Sequence, residues 1–404
     1  MPEEPFIINI YLQAKITNYI IGDSSTAKEE AQNMNKSIEE RMSMIQHIED
    51  TPRVCMNAFN DRTYAKQFID AFTQHDFRKV FLIGAGTSHN VALVIRNIFI
   101  KMLGVEAVAP EGNLFIYTEE INPSKVFRDD QICVIGFSQH GDSISTCMAM
   151  KHAKDLGYYT IGVSEQLDSV IEKLTDSYVH LVCEEEEIGP ETRGYTETII
   201  QFYVLALEVA KAKGLITEAE YEQHNKELKT CIEQMHTVIE ESIDWYHRNK
   251  DEFIAMTKSS ICGYGYNLPT AYEGRLKFFE TFARPCTGYE QEEQMHGPLR
   301  AYNSDNYIFM IAEGNGYEYS RCMEIIPYYK RVLTKHVFVV TGEAYEGTDK
   351  DLVLSVKTTA LLSPAYYVIP FQVLSALVCE DVGINTKISP LKDRSISSHY
   401  PNDR

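Results

Sequence analysis

The sequence predicts an α/β protein made of two tandem, doubly wound domains with parallel sheets, preceded by a helical segment. Three observations predict it. At 404 residues the chain exceeds one compact domain, since domains run to roughly 100–200 residues. Short apolar runs of strand length alternate with helical stretches, which is the grammar of βαβ units and a sheet covered on both faces. That grammar stops after about residue 215, and a second copy of the same pattern starts near residue 256.

Residues 1–78 read as polar and helical, with apolar residues spaced through YLQAKITNYI and SIEERMSMIQHIE, and a break is expected at Thr51-Pro52. The first domain, 79–215, opens with KVFLIGAGTS (79–88), an apolar run ending in a Gly/Ser turn. A helical stretch, HNVALVIRNIFIKML, is followed by VEAVAP, then QICVIGFSQHGDS (131–143), then a helix through MAMKHAKDLG. YYTIGVSE (158–165) and SYVHLVCEE (177–185) supply two further strands, and the Glu184–Glu187 run reads as a solvated strand end. A long polar helix within 216–255 is expected to link the halves. The second domain, 256–404, repeats the pattern with SSICGYGYN, NYIFMIAEGN, KHVFVVTGE and DLVLSVK, and closes with a helix through VIPFQVLSALVCEDVG. Domains of about 130–150 residues fit this division.

Composition excludes several classes of function. With 58 acidic against 38 basic residues the formal charge is −20, which argues against nucleic-acid partners. No apolar run reaches the ~18 residues a membrane span needs, and the N-terminus MPEEPFIINIYLQAK lacks the features of a secretory signal. Nine scattered cysteines, with no Cys-x-x-Cys pair, read as reduced thiols, so a cytoplasmic protein is expected. The histidines do not fall at ligand spacings such as H-E-x-x-H, and no metal or organic cofactor is expected.

In doubly wound sheets, ligands sit beyond the C-terminal ends of the strands, where the strand order reverses. Two loops fall at such ends: Gly84-Ala-Gly86-Thr87-Ser88, and Ser138-Gln139-His140-Gly141-Asp142-Ser143. Hydroxyls and free N–H groups at helix starts suit a phosphate monoester. Either loop alone is as well explained by helix capping; two at alternate strand ends favour phosphate. The pair resembles the phosphosugar loops of sugar-isomerase (SIS) domains, whose fold is flavodoxin-like. That resemblance implies contacts from Thr87, Ser88, Ser138, Gln139 and Ser143, with Gly86 and His140 completing the loops. His140 departs from the small residue usual there. GAGTSH lacks the third glycine of a dinucleotide fingerprint.

Further on, Glu273, Lys277 and Glu280 stand at i, i+4 and i+7 of a helix entered after Asn267 and Pro269, hence on one face. His296-Gly297-Pro298 belongs in a turn. Moving a proton between adjacent carbons of a sugar needs a carboxylate base and a partner that manages the oxygen. Glu280 and His296 have side chains for those two tasks, and Lys277 and Glu273 would frame the base. The stretch resembles the isomerase half of glutamine–fructose-6-phosphate aminotransferase and the related fructosamine- and glucosamine-type 6-phosphate deglycases. The shared pattern, E-G-x-x-K-x-x-E and then H-G-P-L, is met by Glu273, Gly274, Lys277, Glu280, His296, Gly297, Pro298 and Leu299. The resemblance implies that Glu280 is the base and His296 the ring-opening or acid residue. It also implies a homodimer or larger homo-oligomer with shared active sites. It covers about 79–400.

The aminotransferase carries a glutaminase domain beginning at a cysteine after the initiator Met, whereas position 2 here is Pro2, so glutamine-dependent amination is not expected. Lys387 and Lys392 do not align with the aminotransferase's imine-forming lysine. Gly189-Pro190-Glu191-Thr192-Arg193-Gly194 resembles the deglycase variant, with Thr192 and Arg193 facing substrate. The expected function is therefore a deglycase that splits a 6-phosphorylated Amadori or Heyns conjugate into hexose 6-phosphate and amine. An amino-sugar-phosphate deaminase or aldose–ketose isomerase uses the same pair. A non-enzymatic phosphosugar sensor would need the loops but not Glu280 with His296.

Overall fold

A computed structural model describes residues 40–388 and 399–400, and every element below lies in one compact unit, Ser43–Arg404. Two helices lead in, α1 (Met44–Asn60) and α2 (Lys66–Gln74). The first half then runs β1 (Lys79–Ile83), α3 (Thr87–Leu103), β2 (Glu106–Val108), α4 (Gly112–Tyr117), β3 (Ile132–Phe137), α5 (Ile144–Asp155), β4 (Tyr159–Ser164), α6 (Val170–Leu174), β5 (Ser177–His180) and α7 (Arg193–Ala212). Helices α8 (Glu218–Arg248) and α9 (Lys250–Ala255) follow. The second half runs β6 (Lys258–Gly263), α10 (Leu268–Glu280), β7 (Cys286–Glu290), β8 (Asn306–Ala312), α11 (Tyr317–Val332), β9 (Val337–Thr341), β10 (Leu352–Val353), α12 (Ser363–Tyr367) and α13 (Ile369–Val382).

Both sheets have five strands, all parallel, ordered β2-β1-β3-β4-β5 and β7-β6-β8-β9-β10. Counted within each half, both are the 2-1-3-4-5 order of flavodoxin-like sheets, which reverses between the first and third strands. The central strands explain the unbroken apolar runs: every residue of β3 and β8 is buried, because helices cover both faces. Strand β7 was not anticipated. Its sequence, CTGYE, has neither alternation nor an apolar run, and it takes its place by pairing along β6 from Ser259–Cys286 to Gly263–Glu290.

The break expected at Thr51-Pro52 does not occur. Helix α1 passes through Pro52, started by a capping box in which Gln46 N donates to Ser43 Oγ and the Gln46 side chain returns to Ser43 N. Burial of Met44, His47, Ile48, Thr51, Pro52, Val54, Cys55 and Ala58 outweighs the ~3 kcal/mol a mid-helix proline costs. The portion of the expected helical segment before residue 40 lies outside the described residues. Helix α8, expected as a linker, is core: Leu228, Cys231, Ile232, Met235, Val238, Ile239, Ser242, Trp245 and Tyr246 form its buried stripe. Trp245 Nε1 donates to Lys350 O at 2.7 Å, and Tyr246 Oη to Asp381 Oδ2 at 2.5 Å, fastening the helix to the second half. All nine cysteines are buried and free. One stretch, Ser363–Val382, is long and apolar enough to cross a membrane by length and composition, and 78% of its apolar window is buried inside the protein.

Candidate active site

The strand-order reversal of the first sheet places the ends of β1 and β3 side by side, and their loops form one wall of a cavity of about 300 Å³. Gly86, Thr87 and Ser88 come from one loop; Ser138, Gln139, His140, Asp142 and Ser143 come from the other. The loops are shaped by glycine where nothing larger fits. A Cβ on Gly84 would lie 2.5 Å from the Ser88 carbonyl carbon, and Gly141, at φ +74°, would meet Ser169 Cβ at 2.3 Å. Helix capping does not occupy the hydroxyls. Gly86 is the N-cap of α3, and Ser143, the N-cap of α5, makes no side-chain capping bond. Instead Ser143 N donates to Ser138 Oγ at 3.2 Å, tying the ends of the second loop together.

The opposite wall comes from the second half of the chain. Helix α10 runs along α3 and brings Glu280 to the cavity. The solvated face that charged residues at this spacing usually form is absent: Glu273 and Lys277 are fully buried, and the Glu280 side chain is 36% exposed. Lys277 Nζ lies 2.6 Å from Glu280 Oε2 and 3.3 Å from Glu273 Oε1, and donates to Thr87 Oγ1 at 3.1 Å. Thr87 passes the connection on to Glu273 Oε1 at 3.1 Å, and Asn90 Nδ2 donates to Glu273 Oε2 at 2.7 Å. Burial works to discharge Lys277, but Glu273 and Glu280 overrule it and hold its pKa above that of ordinary lysine. The ammonium thus stays charged and fixes Glu280 at the rim of the cavity.

Residues 75–208, the stretch that holds both loops, match the SIS domain family. The first half of the chain carries a SIS domain. Among its relatives, glutamine–fructose-6-phosphate aminotransferase [isomerizing] of Fusobacterium nucleatum is 24% identical over 343 residues, covering 82% of this chain and 54% of the relative. The chain spans about half the length of the curated relatives it matches. A candidate phosphosugar isomerase from Clostridium difficile 630 superposes with a TM-score of 0.79 at 26% identity, over 87% of this chain and 96% of that one. Glucosamine-6-phosphate deaminase of Thermotoga maritima shares the fold at a TM-score of 0.64 and 17% identity, over 87% and 99%. The fold is thus that of SIS phosphosugar isomerases and deaminases.

Not every residue marked in the sequence reaches the SIS cavity. Thr192 and Arg193, expected to face substrate, turn inward. Thr192 N and Oγ1 and Gly194 N all donate to the Glu186 carboxylate at 2.7–3.0 Å, which caps the start of α7. Glu186 is therefore a buried cap and not part of a solvated run. Arg193, 2% exposed, pairs with Asp50 at 2.7 Å and donates to the Glu184 and Glu185 carbonyls. Because Thr192 is pulled inward, its neighbours Gly189 and Glu191 line the cavity in its place. His296 is exposed after a short 3₁₀ turn and is not among the cavity's lining residues in the single chain.

Reasoning from sequence also missed Asn90, which sits one turn after Thr87 on an otherwise apolar helix face, and His399. His399 lines the cavity, with its ring Nδ1 2.9 Å from Asp142 Oδ2, and pairs with Ser143 through an isolated bridge. An Asn among valines and isoleucines was the available signal for the first; the second had none. Among the described residues no group of three or more His, Cys, Asp or Glu is placed to hold a metal ion. Lys387 is half-buried, and Lys392 lies outside the described residues.

Proposed function

We propose that this chain is a sugar-phosphate deglycase that cleaves a 6-phosphorylated Amadori or Heyns conjugate to hexose 6-phosphate and free amine. The observation that carries the reading is the Lys277-clamped Glu280 carboxylate on the rim of a cavity whose other wall is hydroxyls and backbone N–H groups. The loops of Thr87, Ser88, Ser138, Gln139 and Ser143 suit a phosphate monoester in spite of the chain's charge, because backbone N–H groups and the side chains of Ser88, Ser138, Gln139 and Ser143 offer donors without needing lysines, the Thr87 hydroxyl being engaged by Glu273 and Lys277. Gly86 and His140 complete those loops.

Glu280 then takes a proton from the amine-bearing carbon, giving an enaminol, and returns it to the neighbouring carbon. An iminium results, and water adds to release the amine. Lys277 and Glu273 position the base. In this reading His296 serves ring opening from a partner chain, in a homodimer or larger homo-oligomer with shared sites, which accounts for its absence from the lining of its own chain's cavity. The same pair also fits an aldose–ketose isomerase or a deaminase, and the fold shared with glucosamine-6-phosphate deaminase favours keeping that second reading. Both place the chain in sugar-phosphate metabolism.

The test is product release from a panel of 6-phosphorylated Amadori and Heyns compounds by wild type and Glu280→Gln. Release of hexose 6-phosphate and amine by wild type, lost in the variant, is the expected result. Proton exchange on fructose 6-phosphate without amine release from any conjugate would remove the deglycase reading and leave the isomerase or deaminase.

A further inference from the structure

We propose that Glu191 is the proton donor of this cavity, the acid that works opposite Glu280 within one chain. The inference rests on the proton-transfer reading above and deepens it. Glu191 and Glu280 line the same cavity from different halves of the chain. Their surroundings differ in kind. Glu280 is held by Lys277 at 2.6 Å, whereas among the described residues the Glu191 carboxyl has no hydrogen-bond partner. The ring of His140 stands 4.0 Å from Glu191 Oε1, beyond hydrogen-bond reach, and the Glu191 side chain is only 18% exposed.

A carboxyl in such a place prefers to keep its proton. Burial pushes Glu191 up to about 8; Lys277 opposes this, and the nearby carboxylates Glu186, Glu273 and Glu280 reinforce it. His140, Asp142 and His399 are the other titratable groups on the cavity wall. Two carboxyls in one cavity, one clamped by a lysine and the other without a hydrogen-bond partner among the described residues, are the arrangement needed for paired base and acid roles. The direction of Glu191 is built in, because the Glu186 cap draws Thr192 inward and leaves the preceding residue facing out.

The step balances without any further reactant. Glu280 removes the proton from the carbon next to the carbonyl, and the C–H electron pair becomes the C=C bond. The carbonyl π pair takes the Glu191 proton, leaving a neutral enaminol or enediol and a Glu191 carboxylate. When Glu280 returns its proton to carbon in a sugar-amine, the nitrogen lone pair forms the iminium, and the Glu191 carboxylate accepts a proton from the water that adds.

The experiment is deuterium incorporation into fructose 6-phosphate in D₂O, followed by NMR across pH 6–10 for wild type, Glu191→Gln and Glu191→Asp, with sugar-phosphate affinity measured in parallel. Loss of a general acid predicts a fall of about 10²–10⁴-fold in Glu191→Gln with affinity kept. Wild-type exchange should fall as pH rises through about 8, as the donor loses its proton. Glu191→Gln should lack that fall, and Glu191→Asp, which can still donate, should recover part of the rate. Exchange in Glu191→Gln within about threefold of wild type, or the same alkaline fall in both, overturns the proposal. Absence of exchange in wild type overturns it together with the proton-transfer reading. Exchange with no amine release from any conjugate removes only the deglycase assignment.

Discussion

Replacing Lys277 with methionine keeps an unbranched side chain one atom shorter and removes its charge, so the change tests chiefly the electrostatic clamp. In the structure Lys277 has no exposed surface and faces two carboxylates. Removing one partner of a buried ion pair typically costs about 3–5 kcal/mol, because the remaining charge is stranded. Two features place this case at the low end. Glu280 is 36% exposed, so water screens its share. Glu273 keeps hydrogen bonds from Asn90 at 2.7 Å and Thr87 at 3.1 Å. A loss of about 3 kcal/mol is expected, nearly all of it from stranded Glu273. Urea unfolding of wild type, Lys277→Met, Glu273→Gln and the double variant gives the cycle. The double variant should be more stable than the sum of the singles predicts by about 1–3 kcal/mol, because a neutral Gln leaves no charge to strand. A single-variant loss under about 0.5 kcal/mol, or an additive cycle, would show that the lysine is not the clamp we take it to be.

Glu197 is fully buried, neither carboxyl oxygen has a partner among the described residues, and burial raises it to about 8 against the opposing pull of Arg193. A carboxyl raised on folding binds more protons in the native state, so its contribution to stability is present at low pH and lost as pH rises between about 4.5 and 8. Glu197→Gln should therefore gain on wild type by several kcal/mol across that window in urea unfolding, and parallel pH curves would refute the assignment. Glu186→Ala strands the N–H groups of Thr192 and Gly194 and removes a negative charge from the start of α7. It should cost about 2–3 kcal/mol in chemical denaturation, and a cost under about 0.5 kcal/mol would mean that the cap is not needed.

The fold was legible because its two strongest signals are physical necessities. Strands buried on both faces must be apolar throughout, and β3 and β8 are. What escaped notice depended on context. Strand β7 is set by its neighbour β6 and not by its own residues. Pro52 stays helical because the core outweighs its local preference. At the site, the spacing of Glu273, Lys277 and Glu280 fixed their common face, but not whether water covers it; that depends on α3 packing alongside. The loop at Gly189–Gly194 was recognised, yet its reading was off by one residue. No sequence pattern revealed that Glu186 draws Thr192 inward, and that inward turn is what exposes Glu191.

The two halves share a strand order but differ at the ends of their strands. At the reversal point of the second sheet, the loops after β6 and β8 are tied together by side-chain hydrogen bonds. Tyr264 Oη donates to Glu313 O at 2.7 Å, and Asn267 Nδ2 and Ser363 Oγ reach Glu313 Oε2 at 2.6 and 2.8 Å. That end also presents a carboxyl where an anion would have to sit. Helix α10 starts beside these bonds and packs along β6 and β7, and its 13 residues span about 20 Å, enough to carry Lys277 and Glu280 from that end of their own sheet to the cavity of the other. One half thus supplies the hydroxyls and Glu191, and the other supplies the clamped carboxylate. Neither half contains both walls of the cavity, so separating them would leave a cradle without its base and a base without its cradle. The duplicated architecture therefore yields a composite cavity to which both halves contribute.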